Sequence, residues 1–199
     1  AGLADEEITI PEGWTIDDIG RELVRRGFVD SERFGILASS ASWRDEFLFL
    51  PTEYEEGDSN NQGYFFPDTY RFSGKRVVYD VPRQAFRNFQ QKVVVGFQND
   101  ILSSSYSLHE ILTIASILQA EVKTEEDMAK VAGIIQNRLK LGMALQMDST
   151  VNFATGKTLL FTTAGDRAMD SPYNTYKYSG LPPGPINNPG LDAISAVLH

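Results

Sequence analysis

Glu121 is the side chain in this sequence best placed for proton chemistry. The residues before it predict a helix. On that helix's wheel Glu121 falls with Ile114, Ile117 and Leu118, so its carboxyl emerges from an apolar stripe near the C-terminus. Partial desolvation and the negative end of the helix dipole both favour the protonated form there. A carboxyl kept protonated at neutral pH is what a general acid requires. The plainer reading is a solvated helix-end glutamate, and periodicity alone leaves both open.

Asp148 offers a second carboxylate, although a helix N-cap within Asp148-Ser149-Thr150 is its more ordinary role. Tyr173-Asn174-Thr175-Tyr176 brings hydroxyls, an amide and stacking faces, the equipment sugars need, or equally a tyrosine-rich turn. Leu181-Pro182-Pro183-Gly184-Pro185 reads as a rigid, architectural loop, His109 as a solvated residue in a first helical turn, and Asp68 after Pro67 as a turn or cap.

Composition limits the remaining chemistry. With no cysteine among 199 residues, thiolate nucleophiles, disulfides and Cys-ligated zinc are excluded. Two histidines leave little room for a Ser-His-Asp triad or a multi-His metal site. The work falls to carboxylates, hydroxyls, amides and tyrosines, with no metal or cofactor. Lys+Arg 18 against Asp+Glu 27 gives a net charge of −9, which argues against nucleic acid as a partner. A hydrophobic content of 42% supports a sizeable core. No run approaches the roughly 18 consecutive apolar residues of a membrane helix. The chain opens on Ala1-Gly2-Leu3 without Met or signal-peptide pattern, which leaves room upstream for an anchor or export signal.

The elements that would carry these groups are mostly helical. Ile8-Thr9-Ile10 alternates like a short strand, and Thr15 opens a helix with Ile16, Ile19, Leu23 and Val24 on one face and Gly27 as its stop. A short helix follows from Ser31 through Phe34 and Leu37. Residues 51–63 form an acidic, turn-rich loop, and a soft boundary before it divides 1–50 from 51–199. Beyond it, residues 77–97 have helical spacing. Ser107 and Glu110 make a capping box for the helix leading to Glu121, and another helix runs from Thr124 to Gly142. From Leu145 to Pro189 the chain is rich in Gly, Pro, Asn and Tyr, a composition that suits functional loops.

Several motifs in order resemble the MltG-type (YceG-like) endolytic murein transglycosylases. They are Gly63-Tyr64-Phe65-Phe66-Pro67-Asp68-Thr69-Tyr70, Ala115-Ser116-Ile117-Leu118-Gln119-Ala120-Glu121, Val131-Ala132-Gly133 with Asn137-Arg138-Leu139, and Gly142-Met143-Ala144-Leu145-Gln146-Met147-Asp148. Ser171-Pro172-Tyr173-Asn174-Thr175-Tyr176, Gly180 to Ile186 and Asn188-Pro189-Gly190 complete the set. The similarity covers roughly residues 60–199, and residues 1–50 more weakly resemble the segment joining the family's LysM-like module to its catalytic domain. The resemblance implies an α+β fold. It comprises a mainly helical, lysozyme-like catalytic domain over 51–199 and a small N-terminal βα, LysM-like fragment over 1–50.

It also implies a bacterial cell-wall lyase, which cuts the β-1,4 bond between N-acetylmuramic acid and N-acetylglucosamine and leaves 1,6-anhydromuramoyl ends. Glu121 matches the catalytic glutamate, and Gln146, Asp148, Tyr173, Asn174 and Tyr176 line the groove. Such proteins are anchored in the cytoplasmic membrane by one N-terminal helix. They face outward and work on peptidoglycan glycan strands beside glycan polymerases. Gln62 and Gln119 depart from the pattern, which often carries glutamate at both positions, and the chain ends at His199, short of the usual C-terminal strand segment. Two rivals follow: a hydrolytic muramidase using Asp148 to direct water, and a non-catalytic glycan-binding or divisome scaffold module.

Overall fold

Alternation builds the sheet. Ile8 and Ile10 of β1 (Asp5–Ile10) and Tyr70 and Phe72 of β2 (Asp68–Ser73) are buried, whereas Thr9, Thr69 and Arg71 are exposed. The strands pair antiparallel, with Ile8 opposite Tyr70 and Ile10 opposite Asp68. The structure, a computed structural model, describes residues 5–28, 31–51, 61–73, 77–159 and 161–199. Over these residues it is mixed α/β and mainly helical, with this one two-stranded sheet.

Two sequence expectations change here. Asp68 opens a strand where a turn or cap was expected, and its carboxylate accepts hydrogen bonds from Lys92 Nζ at 2.9 Å and Asn88 Nδ2 at 2.7 Å. Residues 52–60 of the acidic stretch lie outside the described residues; Asn61-Gln62-Gly63 forms a turn as expected but is buried, which its polarity did not suggest.

The N-terminal helix α1 (Ile16–Arg25) starts after Thr15 as expected, and the structure adds a capping box in which Thr15 and Asp18 exchange hydrogen bonds. Its buried face is Ile16, Ile19, Gly20 and Leu23. Val24, expected on that face, is 42% exposed, because it lies one residue beyond the i, i+3, i+7 stripe. Gly27 ends the turn at φ +78. Helix α2 (Ser31–Ala38) follows, then a 3₁₀ turn at Ala41–Asp45 that buries Trp43 against Phe86. The expected single helix over 77–97 is instead α3 (Val77–Phe89), a π-helical stretch over Gln90–Val95, and α4 (Gln98–Ser103). The wide turn closes where a Cβ on Gly96 would lie 2.2 Å from the Lys92 carbonyl oxygen, so only glycine fits.

The centre is α5 (Leu108–Glu121). Every residue from Ile111 to Leu118 is buried, the mark of a helix surrounded on all sides. It packs against α6 (Glu125–Lys140), α7 (Asp148–Thr155) and α9 (Leu191–Leu198), and the short α8 (Ala164–Arg167) adjoins α7. Each large aliphatic buried there contributes about 1.5–3 kcal/mol. β1, from the 1–50 segment, pairs with β2 of the 51–199 segment, and Ile8, Ile10 and Leu23 join the same hydrophobic cluster as α5 and α9. His109, expected as a solvated residue, is half-buried. Its Nδ1 meets the Tyr64 hydroxyl at 3.1 Å and its Nε2 meets the Pro183 carbonyl at 2.9 Å, which fastens the proline loop to α5.

One buried amide joins distant segments. Asn188 Oδ1 accepts from Gly63 N at 2.9 Å and Phe65 N at 3.0 Å, and Nδ2 donates to the Trp14 carbonyl at 2.9 Å. Its backbone exchanges bonds with the same loop, Gly13 N to Asn188 O at 2.8 Å and Asn188 N to Trp14 O at 2.9 Å. Truncation to alanine strands two buried N–H groups, those of Gly63 and Phe65, each worth about 1–3 kcal/mol, while the Trp14 carbonyl keeps its bond from Asn188 N. Asn188→Ala is therefore expected to destabilise the protein by at least about 2 kcal/mol, lowering the thermal midpoint by roughly 4–8 °C in a calorimetric scan.

Candidate active site

Glu121 is the last residue of α5, and its carboxylate meets the start of α7. Ser149 N–H donates to Glu121 Oε1 at 3.2 Å. The turn that brings α7 there is tightly held. Arg138 Nη1 donates to the Ala144 carbonyl at 2.8 Å, the Leu145 carbonyl at 3.1 Å and Gln146 Oε1 at 3.3 Å. Gln146 sits at φ +57, a left-handed conformation uncommon for a residue with a side chain. Its N–H donates to the Thr175 carbonyl.

The shielding expected for Glu121 is absent. Ile114, Ile117 and Leu118 are fully buried, but the apolar stripe ends one turn before the carboxylate, and Glu121 is exposed. It lines a cleft of about 780 Å³.

Asp148 lines the same cleft but is bound on all sides. The N-cap of α7 is Met147, not Asp148, whose carboxylate turns away to accept from the Thr162 hydroxyl, Thr162 N and the Tyr176 hydroxyl, the last at 2.7 Å. Burial alone would push Asp148 up. The bonds from Thr162 and Tyr176, with Arg167 nearby, outweigh it and hold the carboxyl below its ordinary range. The Tyr176 hydroxyl is pushed up, first by burial and then by its bond to Asp148. The Glu121 charge adds to the push, so the three groups lie within one electrostatic neighbourhood. Arg167 lies 5.1 Å over the Tyr176 ring. Arg167 is positioned in turn by its bond to the Thr162 carbonyl and by α8, which opens with a Thr163–Asp166 capping box.

Of the residues singled out from sequence, Gln146, Tyr173, Asn174 and Tyr176 do not line the cleft. Tyr173 is buried, with its ring 4.8 Å from that of Phe153. Asn174 is fully buried: its Nδ2 donates to the Arg167 and Met169 carbonyls, and its Oδ1 accepts from Tyr176 N. Gln146 is exposed and bonded to Arg138, outside the lining of the cleft. Among the described residues there is no cluster of three or more His, Asp or Glu that could hold a metal ion.

Asn152, Asn187 and the Ser149 hydroxyl were not foreseen as parts of the cleft lining, and Gln62, noted from sequence only as a departure from the family pattern, joins them. Gln62, Asn152 and Asn187 each fix one end of the amide on backbone, through Ile16 N to Gln62 Oε1, Asn152 Nδ2 to Leu159 O, and Asn187 Nδ2 to Ser116 O. The other ends, Gln62 Nε2, Asn152 Oδ1 and Asn187 Oδ1, are buried without a protein partner, as is Ser149 Oγ. Burying such groups unpaired is costly, so an uncharged ligand offering both donors and acceptors fits this lining. Isolated amides carry no sequence signal; only contacts across the fold reveal them.

The pattern of the YceG-like family matches residues 1–199. An endolytic murein transglycosylase of Bacillus subtilis is 38% identical over 205 residues, covering 97% of this chain and 56% of that protein. One from Streptococcus pneumoniae R6 is 30% identical over 210 residues, covering 96% of this chain and 38% of that protein. The chain thus spans about half or less of the length of these curated relatives. A crystal structure of a yceG-like protein from Listeria monocytogenes superposes with a TM-score of 0.90 at 30% identity, covering 98% of this chain and 67% of that one.

The Asp148 network has a pH signature. Its folded value lies below the ordinary 3.8, so the ionised carboxylate contributes stability above that pH, and the contribution is lost as pH falls through the folded value. Asp148→Asn is expected to lower the urea midpoint at pH 7, with the gap to wild type narrowing below about pH 4.

Proposed function

The chain belongs to the YceG-like family, and from that premise we propose that it is the core of an endolytic lytic transglycosylase of peptidoglycan, with Glu121 as its general acid and base. The observation that carries this is the contrast between two carboxylates on one cleft. Asp148 is saturated by Thr162 and Tyr176, while Glu121 is exposed and holds a single backbone hydrogen bond.

An ordinary glycosidase needs two working carboxylates, an acid and a nucleophile or base. A lytic enzyme needs one, because the sugar supplies its own nucleophile. Glu121 gives its proton to the bridging oxygen as the bond from C1 of N-acetylmuramic acid breaks, and N-acetylglucosamine leaves with a free 4-hydroxyl. The C6 hydroxyl oxygen then bonds to C1, and its proton passes to Glu121. No water is consumed, and the enzyme returns to its starting state. Asp148, kept ionised, stabilises the positive charge that develops at C1. In this reading Asp148 lies on the glycan cleft, Tyr176 holds its carboxylate from behind, and Tyr173, Asn174 and Gln146 shape the loops that hold them. The helical body serves as a lysozyme-like catalytic domain. The full protein works at the outer face of the cytoplasmic membrane beside glycan polymerases, held by an anchor outside these residues.

The test is digestion of isolated sacculi in ¹⁸O-water with product analysis by mass spectrometry. We expect anhydro-ended muropeptides without ¹⁸O, and a fall on the order of 10²–10⁴-fold for Glu121→Gln. Reducing ends carrying ¹⁸O point instead to hydrolysis directed by Asp148. Undiminished anhydro products from Glu121→Gln remove Glu121 from the mechanism.

A further inference from the structure

The unpaired amide ends define a more specific site. Gln62 is 2% exposed and Asn187 5% exposed, and both line the cleft that contains Glu121. Their segments touch. Gly63 N–H is bonded to Asn188 Oδ1, and a Cβ on Gly63 would lie 3.7 Å from the Asn187 carbonyl and 2.5 Å from Pro185 Cγ. Each side chain is oriented by its bonded end, Gln62 by Ile16 N–H at 2.9 Å and Asn187 by the Ser116 carbonyl at 2.7 Å. That leaves one N–H₂ donor, Gln62 Nε2, and one carbonyl acceptor, Asn187 Oδ1, both buried and without a protein partner.

We propose that Gln62 and Asn187 form a clamp for a secondary amide, the 2-acetamido group of a sugar in the cleft, and so determine specificity for N-acetylated glycan. The inference rests on the glycan-cleaving reading above for its choice of ligand. Gln62 Nε2 donates to the acetamido carbonyl, and Asn187 Oδ1 accepts from the acetamido N–H. The complement is uncharged on both sides, so neither partner carries the desolvation cost of an ion. A sugar bearing only a hydroxyl at C2 leaves at least one of the two buried groups unpaired, and unpaired buried groups are what make such sites selective. Glutamine at position 62 matters to this: a glutamate there could still accept from Ile16 N–H, but it could not donate.

That difference supplies the experiment. In a Glu121→Gln background, which prevents turnover, isothermal titration compares a β-1,4-linked N-acetylglucosamine tetramer with a β-1,4-linked glucose tetramer, both uncharged. The expected result is a preference of about tenfold or more for the acetylated tetramer, corresponding to roughly one buried hydrogen bond. Adding Gln62→Glu keeps an acceptor for Ile16 N–H and replaces the free donor with a carboxylate oxygen, and is expected to bring the two affinities together. Asn187→Ser is a second variant that removes the acceptor, and thermal midpoints verify that each variant is folded. Equal affinities in the Gln62-containing protein, or a preference that survives Gln62→Glu, overturn the clamp. Failure of the unmutated chain to release anhydro ends from sacculi, with the tetramer preference intact, counts against the catalytic reading and leaves the clamp standing.

Discussion

The cleft depends on a single buried amide being satisfied. Asn188 uses both lone pairs of its side-chain carbonyl on Gly63 and Phe65 and turns its amide nitrogen to Trp14, so the 13–14, 63–65 and 188 segments meet at fixed distances. These segments are continuous with cleft-lining residues Gly13, Gln62 and Asn187. A hydrophobic contact tolerates small slippage, but a saturated amide in a dry interior does not, since losing one partner costs the full desolvation of the group left behind. Gln119 adds a second tie, its Oε1 accepting from Gly190 N two residues before Glu121. Polar bonds register the walls, and the aliphatic core of α5 holds them together.

The two carboxylates illustrate how position divides labour between like groups. Asp148 begins α7, and the loop that follows returns Thr162 to it, while Tyr176 reaches it from a separate turn. Three donors and a neighbouring arginine stabilise its charge, which makes it a fixed electrostatic element and a poor proton carrier. Glu121 ends α5 in the open, touching only the Ser149 amide. On the proposed reading, in which Glu121 gives and takes a proton, such light bonding suits the role. Tyr176 links the two, bonded to one carboxylate and within the field of the other.

The helices were legible because their signals are local. Thr15 and the Ser107–Glu110 capping box mark two starts, and the periodicity after each gives the buried faces. Strand β2 carried an equally local signal in the alternation of Tyr70 and Phe72 with exposed Thr69 and Arg71, but the preceding Pro67-Asp68 suggested a turn. Asn61 and Gln62 were read as loop because their polarity matches the acidic stretch before them. Their burial follows from partners elsewhere in the chain, Ala38 for Asn61 and Ile16 for Gln62. Tyr173 and Asn174 show the converse. Their chemistry suits sugars, yet Asn174 spends its amide on the Arg167 and Met169 carbonyls and Tyr173 its ring on Phe153. The position of Glu121 was readable to within its helix; its exposure was not, since that depends on where α1 and α7 begin relative to it.

The charge of the lining constrains what the cleft can recognise. Asp17, Asp18, Glu121 and Asp148 lie on it, while the basic Arg21 and Lys157 are committed to Asp18 and Asp166. A cleft so lined, in a chain of net charge −9, gains little from attracting anions over distance. Selectivity must then come at short range from neutral dipoles, which are insensitive to salt and sharply dependent on angle. Three half-bonded amides and the Ser149 hydroxyl are groups of that kind among the described lining residues. A neutral polymer that offers an amide at regular intervals meets this requirement, because each repeat can satisfy a donor and an acceptor without bringing a charge into the cleft.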